Sequence, residues 1–574
     1  MTSPSTDSLA ARITATRQAL TAEGAPFEVV PAEVRGVTIR SYKHAPPDLR
    51  AIWLATRAHA ENDYLVYGSE RWTYDEAHRD VDRIASWLAD RGVTRGDSVA
   101  IAMRNYPEWL LTYWACVATG VRVIGMNAWW VGEEMRYAFE DAAPAVLVAD
   151  QERLDRFAEI RNDFADTTVV GVRLASPLPD VTPWSDVLAN DGVLPDATID
   201  PDDDACIFYT SGTTGRPKGA QLTHRGCAHN LMNMAFWETC LRGAKAAGGP
   251  PSAPSAGGAT GQAAALVTTP LFHVTANNCV AHGMTASGGK LVHMYKWDPA
   301  EALQLIERER ITSMSGVPTM ARELVQHPDF EKTDTSSLKA LSGGGAPVQP
   351  DLVEKIDKTS KTARPGTGYG MTETCGVITM TSADAFVERP TSCGPALPTF
   401  ETRLVDDDGN DVPEGETGEL WVRGAPVIKG YLNRPDATAE TITDGWLHTG
   451  DVARIDEDGF IHIVDRKKDM VLRGGENVYC AEVEAAIFDH DDVAECAVFG
   501  VPDDRLGEEV GAAVFLREGA RASADDLRAH AGAKIAAHKL PRYVWIVDEP
   551  LPRNASGKFL KRELRETLPL SEPN

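Results

Sequence analysis

The residues with the most legible chemistry run from Tyr209 to Ala220, YTSGTTGRPKGA. Gly212, Gly215 and Gly219 let backbone N–H groups turn toward an anion. Thr210, Ser211, Thr213 and Thr214 add hydroxyl donors, and Lys218 adds a full positive charge. Such a set of donors suits a polyphosphate better than a single carboxylate, so it points to a nucleotide. The spacing is not that of a Walker A loop, which needs G-x-x-x-x-G-K-[ST]; here Pro217 precedes Lys218 and Gly219 follows it. The apolar run Ala205 to Tyr209 predicts a buried strand before the loop. Thr223 predicts the cap of a helix after it, with Cys227, Leu231 and Met234 on one face.

Five further segments carry groups suited to the same chemistry. PLFHVTA (270–276) offers the imidazole of His273. SGGGAP (342–347) has three glycines that leave room for something flat and large against the backbone. GYGMTE (368–373) brings an aromatic ring, a hydroxyl and a carboxylate together in Tyr369, Thr372 and Glu373. WLHTGD (446–451) ends in Asp451, a carboxylate able to accept from two hydroxyls at once, and VDRKKD follows with Arg466. LPRNASGKFLKREL (551–564) carries Lys558 on a Gly-Lys tip able to bring one cation to a bond being made and then withdraw it.

In order and character these segments resemble the adenylate-forming superfamily of acyl-CoA synthetases, luciferases and nonribosomal-peptide adenylation domains, over nearly the whole chain. The resemblance implies ATP, Mg2+ and coenzyme A as cofactors or co-substrates. It implies that the loop with Thr210, Ser211, Gly212, Thr213, Thr214, Gly215 and Lys218 holds the phosphates, and that His273 sits beside the acid and the α-phosphate. Gly344, Gly345 and Ala346 would border adenine and the acyl pocket. Gly368, Tyr369, Gly370, Met371 and Thr372 would set a ring against adenine and a threonine on the phosphates, with Glu373 toward the metal, which needs only one carboxylate beside phosphates and water. Asp451 and Arg466 would hold the ribose, Lys468 would be the hinge, and Lys558 the catalytic lysine of adenylate formation. Gly474 and Gly475, in RGGENVYCAEVE, would lie beside the pantetheine arm after the small domain turns.

Bulk properties set limits around this reading. A chain of 574 residues is too long for one core. Its formal charge of -27, from 57 basic and 84 acidic residues, argues against a general nucleic-acid surface. Anionic ligands must then be met locally, by Lys218, Arg466 to Lys468, Arg473 and Lys558. Nine cysteines without metal-ligand spacing suit free thiols in a cytoplasmic protein. No secretory or membrane-spanning segment is legible; the apolar stretch between Glu108 and Arg122 is too short to cross a bilayer.

The fold expected is α/β: a large N-terminal domain of α/β subdomains plus a small β unit, residues 1–467, then a small mobile α+β domain, residues 468–574. One α/β region runs from about Ser41 to Asp150, with a helix near Ala77 to Arg91 and a strand at Ser98 to Ile101. A second runs from the phosphate loop to about Met380, interrupted by a Gly/Ala/Pro-rich surface loop at 243–261. Short strands and turns after Glu388 make the β unit.

The resemblance implies an AMP-forming acid:CoA ligase, one that would make an acyl-adenylate and pyrophosphate and then the thioester. By the same resemblance the acyl pocket draws on the helix after the loop, where Phe236 and Trp237 would favour an apolar acid, whether fatty, aromatic or polycyclic. Asn277 and Asn278 either admit a polar group or face away. An acyl-AMP ligase that loads a carrier protein and a non-catalytic nucleotide-binding module stand as the alternatives. A homodimer agrees with the frequency of two-fold assembly among soluble enzymes.

Overall fold

The computed structural model of the protein describes residues 8–210, 216–246, 261–474, 476–554 and 558–569. Ser211, Gly212, Thr213, Thr214, Gly215 and Gly475 lie outside the described residues, as do 247–260 of the Gly/Ala/Pro-rich segment. Among the described residues no helix is long and apolar enough to cross a membrane.

Two sheets form the centre of the large N-terminal part. A seven-stranded sheet orders Lys218–Thr223, Asp204–Thr210, Arg122–Gly125, Ser98–Ala102, Val146–Asp150, Thr168–Val172 and Thr182–Pro183. Most of its strands are parallel and covered on both sides, so SVAIA and VLVAD are apolar apart from Ser98 and Asp150, with every residue buried. The second sheet has eight strands, ordered Gly376–Ser382, Arg364–Met371, Ala340–Gly344, Ser313–Gly316, Ala264–Val267, Lys290–His293, Asp63–Tyr67 and Glu70–Thr73. Helix Pro107–Val117 is buried along its whole length, and the Trp114 indole donates to the Tyr64 hydroxyl at 2.8 Å. The apolar stretch between Glu108 and Arg122 is thus a buried helix, and the strand after it begins at Arg122.

A six-stranded, largely antiparallel unit follows, with Phe400–Val405, Gly418–Gly424, Trp446–Ile455 and Phe460–Arg466 as its main strands. The last sheet, five-stranded, begins at Val471 and includes the long hairpin Val493–Asp503 with Gly507–Leu516. Helices Cys480–Phe488 and Ala524–Gly532 pack on one face of it in a core separate from those of the large part. The fold is therefore the expected α/β arrangement with a small α+β unit at the end.

Two local expectations are corrected. The phosphate segment is not followed directly by a helix: Lys218–Thr223 is a strand that pairs back antiparallel onto Asp204–Thr210, with Lys218 opposite Thr210. GAQLT has the apolar alternation of a strand; only at Thr223, whose hydroxyl accepts from the Gly226 N–H at 3.0 Å, does helix His224–Lys245 begin. The loop assigned to 243–261 also starts later, because Gly243 to Lys245 complete that helix. The hairpin Asp63–Thr73, from the first α/β region, joins the second sheet through a parallel pairing of Leu65 with Leu291.

Candidate active site

A cleft of about 2060 Å³ runs between the second sheet, the β unit and the tip of the C-terminal unit. Of the predicted site residues, Thr210, Lys218, His273, Gly344, Gly345, Gly368, Gly370, Met371, Thr372, Glu373, Arg466 and Lys558 line it. Residues more than 300 positions apart in sequence thus face one space.

Local folding sets each of them. Lys218 opens its strand, and its ammonium lies 4.9 Å from the ring centroid of Tyr431. Strand Arg364–Met371 ends in the short turn Thr372–Thr374, which the Thr374 hydroxyl ties by donating to the Gly376 carbonyl at 2.9 Å. Gly370 is required there, because a Cβ would meet the Gly376 carbonyl oxygen at 1.9 Å. The turn presents Glu373, whose Oε1 accepts from the Tyr431 hydroxyl at 2.8 Å. Its Oε2 has no hydrogen-bond partner among the described residues.

Asp451 and Arg466 face each other across an antiparallel strand pair, with Arg466 Nε 3.2 Å from Asp451 Oδ1. The Tyr369 hydroxyl donates to Asp451 Oδ2 at 2.6 Å. Burial and the Asp451 carboxylate together push the Tyr369 phenol well up, so it stays a donor. Tyr369 and Asp451 are not wall residues themselves, but their neighbours Gly368, Gly370 and Gly450 are.

Lys558 comes to this space on a closed tip. Its backbone N–H donates to Asn554 Oδ1 at 3.0 Å, and the Asn554 N–H donates back to the Lys558 carbonyl at 2.9 Å. Arg553, ion-paired to Glu495 at 2.8 Å, anchors the base of the tip. Burial and the Arg466 guanidinium lower the Lys558 pKa, while Asp451 and Glu373 push it back up. His273 is held down to about 4 by burial first and by Lys558 second, so its ring is neutral near pH 7. Its Nε2 is buried without a hydrogen-bond partner among the described residues.

Other predicted residues stand elsewhere. Ala346 does not line the cleft. Gly474, at φ +59°, turns the hairpin between Val471–Arg473 and Glu476–Val478, and its N–H donates to the Leu506 carbonyl; it does not reach the cleft in this arrangement. Arg473 is paired with Glu509 at 2.7 Å rather than held for an anion. Phe236 and Trp237 do not form the acyl wall: both are buried in a core with Phe27 and helix Leu9–Thr21. The opposite face of their helix, with Leu231, Met234 and Ala235, lines the cleft instead. Asn277 and Asn278 face away, fully buried, with Asn278 Nδ2 donating to the Cys375 carbonyl at 2.9 Å. Thr275 and Cys279 occupy the wall positions nearby.

Sequence reasoning missed Tyr431 and Asn554. Tyr431 joins Glu373 to Lys218, and its only trace is an aromatic residue inside the polar turn KGYLNRP. Asn554 closes the Lys558 tip from within a run of turn residues.

Comparison with known proteins agrees with this geometry. Residues 53–432 match the model of the AMP-binding enzyme family, and residues 482–558 match that of the AMP-binding enzyme C-terminal domain. The chain belongs to this family. It is an adenylate-forming acyl-CoA synthetase, an AMP-forming acid:CoA ligase that uses ATP and CoA. A feruloyl-CoA synthase of Amycolatopsis sp is 38% identical over 503 residues, covering 87% of this chain and 94% of that protein. An indoleacetate–CoA ligase of Aromatoleum aromaticum is 33% identical over 490 residues, covering 85% and 91%. Among solved structures, the o-succinylbenzoate CoA synthetase of Bacillus subtilis, in complex with its acyl-adenylate intermediate, superposes with a TM-score of 0.75 at 28% identity, covering 91% of this chain and 98% of that one.

Proposed function

We propose that this ligase activates an apolar carboxylic acid with ATP and magnesium at the cleft between Lys218 and Lys558, then passes it to coenzyme A by a turn of the C-terminal unit. The observation that carries the reading is the meeting of Lys558, from the end of the chain, with His273, Glu373 and Arg466 around one space. In the first half-reaction a carboxylate oxygen of the acid bonds to the α-phosphorus of ATP, and the bond to pyrophosphate breaks. Thr210 and Lys218 attend the departing pyrophosphate, Thr372 the phosphates, and Asp451 with Arg466 the ribose. Lys558 orients the attacking carboxylate, and the neutral imidazole of His273 donates no charge but fixes its direction. Charge neutralisation placed in advance is the main source of rate here.

Magnesium fits the donors present: Glu373 keeps one carboxylate oxygen unengaged while Tyr431 holds the other, and a metal of this kind takes one or two carboxylates plus phosphate and water. When bound it would neutralise phosphate charge. In the second half-reaction the CoA sulfur bonds to the acyl carbon, the acyl–oxygen bond breaks, and AMP leaves. Lys558 occupies the approach in the first step and has to withdraw for the second. We set the boundary between domains 1–467 and 468–574, with Lys468 as the hinge, where the last strand of the β unit ends at Arg466 and the next sheet begins at Val471. The turn then moves the Gly474 hairpin toward the pantetheine arm. Nine cysteines without a disulfide agree with a reducing, cytoplasmic setting.

The test is a panel of fatty, aromatic and polycyclic acids, read by acid-dependent exchange of labelled pyrophosphate into ATP and by thioester formation with CoA as the sole thiol. Both signals are expected for at least one apolar class. Absence of exchange with every acid would overturn adenylation; exchange with persistent acyl-AMP and no CoA ester would overturn CoA as the acceptor.

A further inference from the structure

The cleft continues well past the site of phosphate chemistry. Besides the C-terminal ends of the second sheet's parallel strands, at Thr269, Gly344 and Gly368, its wall includes their opposite ends, at Ala263, Thr312 and Lys339. It is therefore a channel along the sheet face. The five residues of strand Ala340–Gly344, four steps of rise, span about 13 Å.

The register of the strands explains why that face is open. Ala265, Ser313 and Ala340 stand side by side, then Ser315, Ser342 and Gly366, then Gly344 and Gly368. Every one of these side chains is small. The alternate residues Leu266, Met314 and Leu341 fill the core on the other face. The sheet is thus packed tightly on one side and left with a smooth floor on the other.

Helix His224–Lys245 forms the opposite wall, with Leu231, Met234, Ala235, Glu238 and Arg242 recurring at helical spacing along the channel. Its direction is fixed at both ends. Asn230 Oδ1 accepts from the Val377 N–H at 2.9 Å, near the reacting centre. At the other end Lys245 pairs with Asp384, which also holds Arg364 at the start of its strand. Glu238 and Arg242 consequently stand at the far mouth, opposite the phosphates. Glu238 is exposed to the cleft and makes no hydrogen bond or ion pair among the described residues; the protein crowded around it raises its carboxyl pKa, and Arg242, one turn on, opposes that.

Building on the ligase reading, we infer that Glu238 is a specificity-determining residue, and that the acid this chain takes is elongated and apolar in its body, with a hydroxyl at the end remote from its carboxylate. An apolar tail laid against this carboxylate would displace its water and give it no partner, whereas a hydroxyl donates to it. A site made to bond a substrate hydroxyl discriminates against the analogue that lacks it.

The test compares 12-hydroxydodecanoate with dodecanoate as substrates in acid-dependent pyrophosphate exchange, using the full-length protein, Glu238→Gln and Glu238→Leu. The native protein should favour the hydroxy acid by about five- to tenfold in kcat/KM, the Gln form should keep part of that preference because its amide oxygen still accepts, and the Leu form should prefer dodecanoate. A native preference at or below one overturns the inference, as does an unchanged ratio in the Leu form. Exchange with short acids but neither long one also overturns it, while leaving the ligase reading intact. Failure of every acid in the native protein would instead sink the ligase reading itself.

Discussion

The two ends of the cleft are built by opposite means. Around Lys558 the groups are charged, few and mutually bonded: Tyr369 on Asp451, Asp451 on Arg466, Tyr431 on Glu373. Along the acyl channel almost nothing bonds; its form comes from what the strands omit, a floor of Ala, Ser and Gly under a helix bearing Leu and Met. At one end geometry is fixed by polar partners, where a displacement of a single group costs most. At the other it is fixed by volume, where a substitution should change which acid is taken more than how fast the phosphorus is attacked.

The largest effect expected from this contrast is at Lys558. Lys558→Ala removes the only one of these groups delivered by the C-terminal tip, and should lower adenylate formation by about 10²–10³-fold. Thioester formation from supplied acyl-adenylate should fall far less. Single-turnover measurements of each half-reaction separate the two, and an equal loss in both would mean that the lysine does not withdraw after the first step.

Next in size is the pair proposed to hold the ribose. In Asp451→Asn the carboxylate that accepts from Tyr369 and meets Arg466 loses its charge, so the KM for ATP should rise about tenfold, the loss of roughly one charge-assisted hydrogen bond. The KM for the acid should change much less. A reversed pattern would break the division of the cleft into two ends.

Of similar size, but confined to long acids, is the expected effect of obstructing the floor. Ser342→Leu puts a branched side chain into the row formed with Ser315 and Gly366. It should lower kcat/KM for a twelve-carbon acid by about tenfold more than for benzoate, in line with the cost of misplacing one apolar group in a pocket. Equal losses for both acids would show that the channel is not where a long acid lies.

The contrast also explains what could be read from the chain alone. Lys218, Glu373, Asp451, Arg466 and Lys558 were legible because polar chemistry demands particular residue types, and these sit in short segments that fold locally. The α/β class and the small terminal unit were legible from apolar periodicity. The floor was not, since Ser313, Ser342 and Gly366 become neighbours only through strand register, and none of them is unusual where it stands. Phe236 and Trp237 misled for a related reason. Large apolar residues on a helix beside the site suggest an acyl wall, but helix Leu9–Thr21 covers that face and turns it into core. Glu238, on the face that does line the channel, carries no local signature.

His273 stands between the two ends, and its expected effect on the rate profile is the smallest. Burial and Lys558 hold its folded pKa at about 4, against 6.5 for the free ring. Between those values the unfolded chain binds the extra proton and the folded one does not, so the contribution to stability is lost as pH falls below 6.5, at up to about 1 kcal/mol per pH unit. Over pH 6–8, where the folded ring stays neutral, kcat/KM should show no step from this residue. The profile of His273→Gln should then run parallel to the native one, whatever its height, because an amide replaces one neutral partner with another. A native step near pH 6.5 that the Gln form lacks would place the imidazole in the titrating chemistry rather than beside the acid as a neutral partner.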